Sequence, residues 1–273
     1  MSYSDPRLAT TLCGIKLDNP VIAASGTFGY GYEFAELYDI NELGTFSFKG
    51  TTEEARFGNE SPRIAECPSG MLNAVGLQNP GVDKVISEEL PKLKACFHKP
   101  VMANISGFST DEYAYVCERL NAEKQIGWFE VNISCPNVHG GGMGFGTDPA
   151  LAAEVTKRVR EVTDKPVIMK LTPNVTDITE IAKACEDAGA DGISLINTVL
   201  AMREQRDEIA RLTAELEGSK MTVSALKEQQ AKKTENTAAE ALKGADAKNT
   251  DGGWKDGTYE GEGQGFGGKV VVE

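Results

Sequence analysis

In "FEVNISCPNVHGGG" (129–142) an apolar run ends in amides and one thiol, Asn132, Cys135 and Asn137, and then passes into glycine. A free thiol by itself is compatible with a small buried hydrophobe. Its setting, between two amides and ahead of a glycine-rich loop, marks Cys135 as a candidate for chemistry. Two lysines, Lys49 in "TFSFKG" (45–50) and Lys170 in "VIMKLT" (167–172), lie in apolar context. Such cations can stabilise charge that builds on a ring or a carboxylate. An asparagine amide both donates and accepts, so Asn73, Asn132 and Asn197 suit a pyrimidine-like ligand or a flavin ring. No metal-ligand spacing accompanies them. Of the two histidines, His98 precedes "KP" in a turn at the surface, and His139 falls in the glycine loop without an assigned role.

These residues sit at the ends of six β-rich runs: "PVIAAS" (20–25), "TFSFKG" (45–50), "VMANIS" (101–106), "FEVNIS" (129–134), "VIMKLT" (167–172) and "GISLIN" (192–197). Each run ends polar. The first reaches Ser25 and Gly26, the second Lys49 and Gly50, and the third carries Asn104 and Ser106. The fourth leads to Asn132 and Cys135, the fifth to Lys170 and Thr172, and the sixth to Asn197 and Thr198. Helix-like stretches lie between several of them. "DPALAAEVTKRVREVT" (148–163) opens with Asp148 as N-cap and Pro149 at the first helical position, and "DITEIAKACEDAGA" (177–190) is closed by Gly189. Alternation of this kind predicts βαβ units around a parallel sheet, either a barrel or a doubly wound sheet. In a (β/α)8 barrel all strand C-termini converge on the face that carries the active site. The plainer alternative is that strand ends are polar because they meet water.

Composition narrows the function classes. The 273 residues are 40% hydrophobic and 25% charged with a net charge of −13, which excludes a nucleic-acid partner held through its phosphates. The six cysteines (13, 67, 96, 117, 135, 185) show no CxxC, which argues against an iron–sulfur or zinc site and against a disulfide framework. Neither a secretory leader nor a bilayer-length apolar run is evident, so reduced thiols and a cytoplasmic location are expected.

After Arg203 the texture changes. Ile209, Leu212, Leu216, Val223 and Leu226 follow an a/d track broken by Ser219 and Gln230, which fits a short coiled coil or one solvated helix over 204–230. Residues 231–253 offer only Leu242 as a large apolar side chain and read as a flexible linker. "WKDGTYEGEGQGFGGKVVVE" (254–273) reads as a β-hairpin whose second strand is only begun. Its GxGxGG is weak evidence of phosphate binding.

Residues 7–203 resemble class 1 dihydroorotate dehydrogenases. The resemblance is carried by "AASGTFG" (23–29), "KGTT" (49–52), "NAVGLQNPG" (73–81), "NISG" (104–107), "VNISCPN" (131–137), "MKLTPN" (169–174) and "LINT" (195–198). Gln78 in "GLQNPG" is similar to the NAD-linked subclass 1B, where the fumarate-linked subclass tends to have proline. The resemblance implies a (β/α)8 barrel that binds FMN and oxidises dihydroorotate to orotate in pyrimidine biosynthesis. Cys135 is then the base that removes the C5 proton, and the glycine loop is a mobile lid. Lys49, Asn73, Ala74, Val75, Gly76, Leu77, Asn132, Asn197 and Thr198 would contact substrate. Ser25, Lys49, Gly50, Asn104, Asn132, Lys170 and Ile196 would contact FMN. The implied partner is a separate iron–sulfur FAD subunit leading to NAD, around a homodimeric core within a heterotetramer.

The family barrel has two further strands after "LINT", with glycine loops that hold the FMN phosphate. Here the barrel-like part, 1–203, is expected to stop at about six strands, which would weaken FMN retention. Residues 254–273 are similar to the start of a small FMN-binding domain of membrane-associated electron-transfer proteins. Two alternatives therefore stand beside the dehydrogenase: an inactive fused fragment, and a flavin-binding electron-transfer module defined by the C-terminal segment.

Overall fold

The computed structural model describes residues 5–68, 70–134, 143–200, 218–227, 229–230, 261–265 and 268–272. The chain divides into two units, Met1–Ala201 and Met202–Glu273. The first unit opens with a hairpin of β1 (Thr10–Leu12) and β2 (Ile15–Leu17). Its two turn residues, Cys13 (φ 45°) and Gly14 (φ 82°), are both left-handed, which matches the twist of the flanking strands. There follow β3 (Ile22–Ala23), α1 (Tyr32–Ala35), β4 (Thr45–Phe46) and a second hairpin, β5 (Ile64–Cys67) with β6 (Gly70–Asn73). Next come α2 (Val82–Lys84) and α3 (Leu90–Cys96), joined through a wide helical turn, Val85–Glu89. The unit continues with β7 (Val101–Ile105), α4 (Thr110–Asn121), β8 (Ile126–Asn132), α5 (Met143–Thr147), α6 (Pro149–Arg160), β9 (Val167–Lys170), α7 (Ile178–Asp187) and β10 (Gly192–Ser194).

All six anticipated strands are present. Three, β3, β4 and β10, are much shorter than their apolar runs. β3 ends where Thr27 N–H bonds to the Ala24 carbonyl and Gly26 turns the chain at φ 87°. β8 instead starts earlier than expected, at Ile126, which pairs with Val101; Gly127 breaks the apolar pattern, and the register shifts there before Trp128 pairs with Met102.

The strands β7 to β10 form one parallel sheet, and β3 pairs in parallel with β4. Parallel bridges at Ser47–Met102 and Thr51–Ile105 join the two groups, with Phe48 N–H on the Met102 carbonyl at 3.1 Å. The order β3-β4-β7-β8-β9-β10 therefore follows the chain. A doubly wound sheet would reverse direction at a switch point, so the sequential order separates the two alternatives in favour of single winding. Among the described residues no ladder joins β3 to β10, and Val21, Ile22, Ile193 and Leu195 at these two edges are exposed.

Side chains alternate across a strand, and here the alternation sorts two compartments. Ala103 and Ile105 of β7, Phe129 and Val131 of β8, and Val167 and Met169 of β9 face one way. They join Val116 and Leu120 of α4, Val155 and Val159 of α6, and Ile181 and Cys185 of α7 in the main core. Each large side chain fully buried there contributes about 1.5–3 kcal/mol. The alternate positions begin with Met102, Trp128 and Ile168, which pack on Leu17 and the β1–β2 hairpin as a second, smaller cluster. Trp128 Nε1–H donates to the Leu12 carbonyl at 3.1 Å, so the hairpin caps the N-terminal ends of the strands. Two residues further along each strand the same face is polar: Ser47, Asn104, Glu130, Lys170 and Ser194. That gradient positions the site.

The helices begin as the sequence indicates. Asp148 accepts from the backbone N–H groups of Ala150 and Leu151, Asp177 from Thr179, and Gly189 (φ 103°) follows α7. Helix α4 was not singled out in the sequence, although Ser109 and Glu112 carry its capping signal: Ser109 Oγ accepts from Glu112 N–H at 3.1 Å.

In the second unit residues 218–227 are helical, with Met221, Val223 and Leu226 exposed. That arrangement is a solvated helix over the part of 204–230 that is described. The segment 261–272 forms an antiparallel hairpin of β11 (Gly261–Gly265) and β12 (Gly268–Val272), with Gly261 opposite Val272. Residues 204–217 and the expected linker, 231–253, lie outside the described residues.

Candidate active site

The polar face is a continuous hydrogen-bonded structure drawn from five strands and the segments that follow them. At its lower level Glu130 takes three hydrogen bonds. Ser47 Oγ and Asn104 Nδ2 donate to its Oε2 at 2.6 and 2.7 Å, and Ser194 Oγ donates to its Oε1 at 2.8 Å. Lys170 Nζ lies 4.0 Å from the same Oε2. The carboxylate is buried, and burying a charge is tolerable where donors and a cation surround it, as here.

One step toward the strand C-termini, Asn132 Nδ2 donates to Ser106 Oγ at 3.2 Å, and Asn132 Oδ1 accepts from Asn197 Nδ2 at 2.9 Å. Asn197 Nδ2 also donates to Ser134 Oγ at 2.9 Å, and the Asn197 Oδ1 accepts from Thr198 N–H at 2.7 Å. Tyr113 Oη of α4 donates to the Asn132 carbonyl at 2.8 Å, which ties the helix layer to the site. On the β4 side, Ser25 Oγ donates to the Phe48 carbonyl at 2.7 Å, and Lys49 N–H bonds to the Gly29 carbonyl at 2.9 Å.

The structure thus brings together Gly50, Leu77, Asn104, Asn132, Lys170, Asn197 and Thr198. Leu77 reaches the group because Asn79 holds its loop: Asn79 Nδ2 donates to the Leu77 carbonyl at 2.7 Å and to Thr52 Oγ1 at 2.9 Å. Leu77 adopts φ 57° and Gly76 φ 75°, so the turn presents the buried Leu77 to Gly50. Asn73 and Ala74, at the end of β6, are exposed, Val75 is half-buried, and Ile196 is also exposed. Cys135, His139 and the rest of 135–142 lie outside the described residues, which resume with α5 at Met143. His98 is exposed, as expected for a turn.

Sequence reasoning missed Glu130, Ser47, Ser134, Ser194 and Asn79. The signal for Glu130 was present: an acid in the middle of an apolar strand, two residues before Asn132, must share the face of Asn132. Of the cysteines described, Cys13, Cys67, Cys96, Cys117 and Cys185 are unpaired. Burial pushes the thiols of Cys13, Cys96, Cys117 and Cys185 up, which disfavours thiolate chemistry at those four.

Two features bear on whether a flavin fits. Asn104 Oδ1 is buried without a hydrogen-bond partner among the described residues. Gly50 lies beside it: a Cβ there would come 2.8 Å from Asn104 Oδ1 and 3.3 Å from Ser106 Oγ. An unsatisfied buried acceptor beside a glycine, with amides and an ammonium close by, matches the donor and acceptor edge of a planar imide ring.

Sequential parallel strands with one polar face define a singly wound α/β protein whose site lies toward the strand C-termini. The family model for dihydroorotate dehydrogenase matches residues 7–228, and the chain belongs to that family. The catalytic subunit of dihydroorotate dehydrogenase B (NAD(+)) from Bacillus cytotoxicus is 53% identical over 197 residues, covering 72% of this chain and 63% of that protein. The corresponding subunit from Anoxybacillus flavithermus is 55% identical over 197 residues, with the same coverage of 72% and 63%. The chain therefore spans 63% of the length of these relatives. A crystal structure of DHODH from Eimeria tenella in complex with ferulenol superposes with a TM-score of 0.62 at 18% identity, covering 75% of this chain and 63% of that chain. At that identity the likeness is one of fold.

Proposed function

We propose that the first unit supplies the flavin-ring and substrate face of an FMN-dependent dihydroorotate dehydrogenase of the NAD-linked type, acting in pyrimidine biosynthesis. The observation that carries this reading is the network joining Asn104, Glu130, Lys170, Asn132 and Asn197, with one buried acceptor left over at Asn104. The sequential strand order supports a (β/α)8 barrel as its frame.

FMN, when bound, supplies the acceptor for the hydride that leaves C6 of dihydroorotate. Cys135 takes the C5 proton, and the C5–C6 bond becomes double. A free thiol ionises near 8.5, so Cys135 needs amide donors or a lysine nearby to act as a base at neutral pH. Asn132 and Asn197 hold each other by the 2.9 Å bond, which fixes both amides before a planar ring arrives. Lys49, Asn73 to Leu77 and Thr198 complete the substrate side. Ser25, Lys49, Gly50, Asn104, Asn132, Lys170 and Ile196 form the flavin side. Electrons leave through a separate iron–sulfur FAD subunit to NAD, from a homodimeric core within a heterotetramer in the cytoplasm.

The test is to purify the 273-residue chain, titrate it with FMN by visible absorption, and assay dihydroorotate oxidation with an artificial acceptor and with NAD. Weak FMN uptake and little turnover, with the artificial acceptor alone, are expected. A chain that takes up no FMN would favour the inactive fused fragment, and unaided reduction of NAD would refute the separate electron-transfer subunit.

A further inference from the structure

Glu130 belongs to none of the motifs that carry the family resemblance as a contact residue, yet its side chain takes three hydrogen bonds within the polar face. It is buried at the centre of β8, and its two oxygens gather donors from three other segments: Ser47 after β4, Asn104 on β7 and Ser194 on β10. Lys170 of β9 supplies the nearest cation, at 4.0 Å. A carboxylate only accepts, so it admits one orientation of the Asn104 amide, with Nδ2 turned toward Glu130. Oδ1 is then forced to the other side, next to Gly50, where it has no hydrogen-bond partner among the described residues. The same negative charge draws the Lys170 ammonium back and offsets part of its field.

We propose that Glu130 is a positioning residue for the flavin: it presents Asn104 as an acceptor to a ring N–H and sets the charge felt from Lys170. This rests on the FMN reading above and adds to it a residue that touches neither flavin nor substrate. Two effects follow for the isosteric neutral variant Glu130→Gln. The introduced amide both donates and accepts, so Asn104 is free to turn over, and FMN should bind about tenfold more weakly, the scale of one lost hydrogen bond. Lys170 would also lose its counter-charge. Its ammonium would then favour the more negative, reduced flavin, so the midpoint potential of the bound flavin should rise. A tenfold gain of reduced over oxidised binding corresponds to about 30 mV for a two-electron couple.

The experiment measures FMN affinity and bound-flavin potential for the wild type, Glu130→Gln, Lys170→Met and the double variant, with thermal midpoints alongside. A merely structural role would move the thermal midpoint and leave the potential in place. If Glu130 acts through Lys170, the rise in potential should vanish in the Lys170→Met background. Should Glu130→Gln fail to fold, Glu130→Asp keeps the charge but draws it back by one methylene, and should shift both readouts the same way by less. Wild-type affinity and potential in every folded Glu130 variant would overturn the proposal while leaving the FMN reading intact. A wild-type chain that binds no FMN overturns both.

Discussion

Asn132 and Cys135 show how differently neighbouring residues can be known. The amide of Asn132 is fixed from three sides, by Ser106, Asn197 and Ser134, and its carbonyl by Tyr113. Its geometry therefore constrains what can bind above it. Cys135 lies outside the described residues, and its role rests on motif and family. The prediction at this scale is correspondingly chemical. In a version of the sequence carrying the intact barrel, Cys135→Ser should lower dihydroorotate turnover by about 100-fold or more, the usual weight of a general base, because a hydroxyl ionises far less readily than a thiol. The visible spectrum of bound flavin should be unchanged, since the substitution removes a base and not a wall of the flavin site. Turnover within a few fold of wild type at neutral pH would sink the assignment.

The elements make their own predictions. Asp148 satisfies two backbone N–H groups of α6, so Asp148→Ala should cost about 1 kcal/mol and lower the thermal midpoint by about 2–4 °C. Calorimetry would check it, and Asp148→Asn should recover most of the loss. In α4, burial pushes the Cys117 thiol up to about 12. An unfolded chain ionises that thiol from about 8.5, whereas the fold holds it protonated, so stability present below that value is lost as pH climbs toward 12. The urea midpoint should therefore fall between pH 9 and 11, and fall less steeply in Cys117→Ala. Much of this level was legible in the sequence. The six strands follow from their apolar runs, and α6 and α7 from Asp148, Pro149 and Gly189. The β1–β2 hairpin was not, because Cys13 occupies a left-handed turn position that usually signals itself by asparagine or aspartate. Asn104, Asn132, Lys170 and Asn197 were legible as polar interruptions of apolar strands. Glu130 was equally visible as an interruption, but its partners Ser47 and Ser194 are joined to it only by strand pairing, which no local spacing records.

At the scale of the molecule, the first unit is a set of parallel strands with two unlike faces, apolar against the helices and graded on the other side from Trp128 to Glu130 to Asn132. The grading depends on nothing but parity. Along β8 the residues Trp128, Glu130 and Asn132 are even and Phe129 and Val131 are odd, so every assignment in the site is a statement about counting. The consequence concerns how this sequence can change length over evolutionary time. Deleting a single residue at Phe129 would advance the parity of everything before it or after it by one. Either the Trp128 indole or the Glu130 carboxylate would then be carried into the helix core. A library of one-codon deletions, scored for soluble expression, should be depleted through 126–132 and 101–105 and tolerant at the exposed residues Ala122 and Lys124, where the chain turns between α4 and β8. Gain and loss of codons are thereby confined to the connections, and the lineage can lengthen its loops freely while the strands keep their frame.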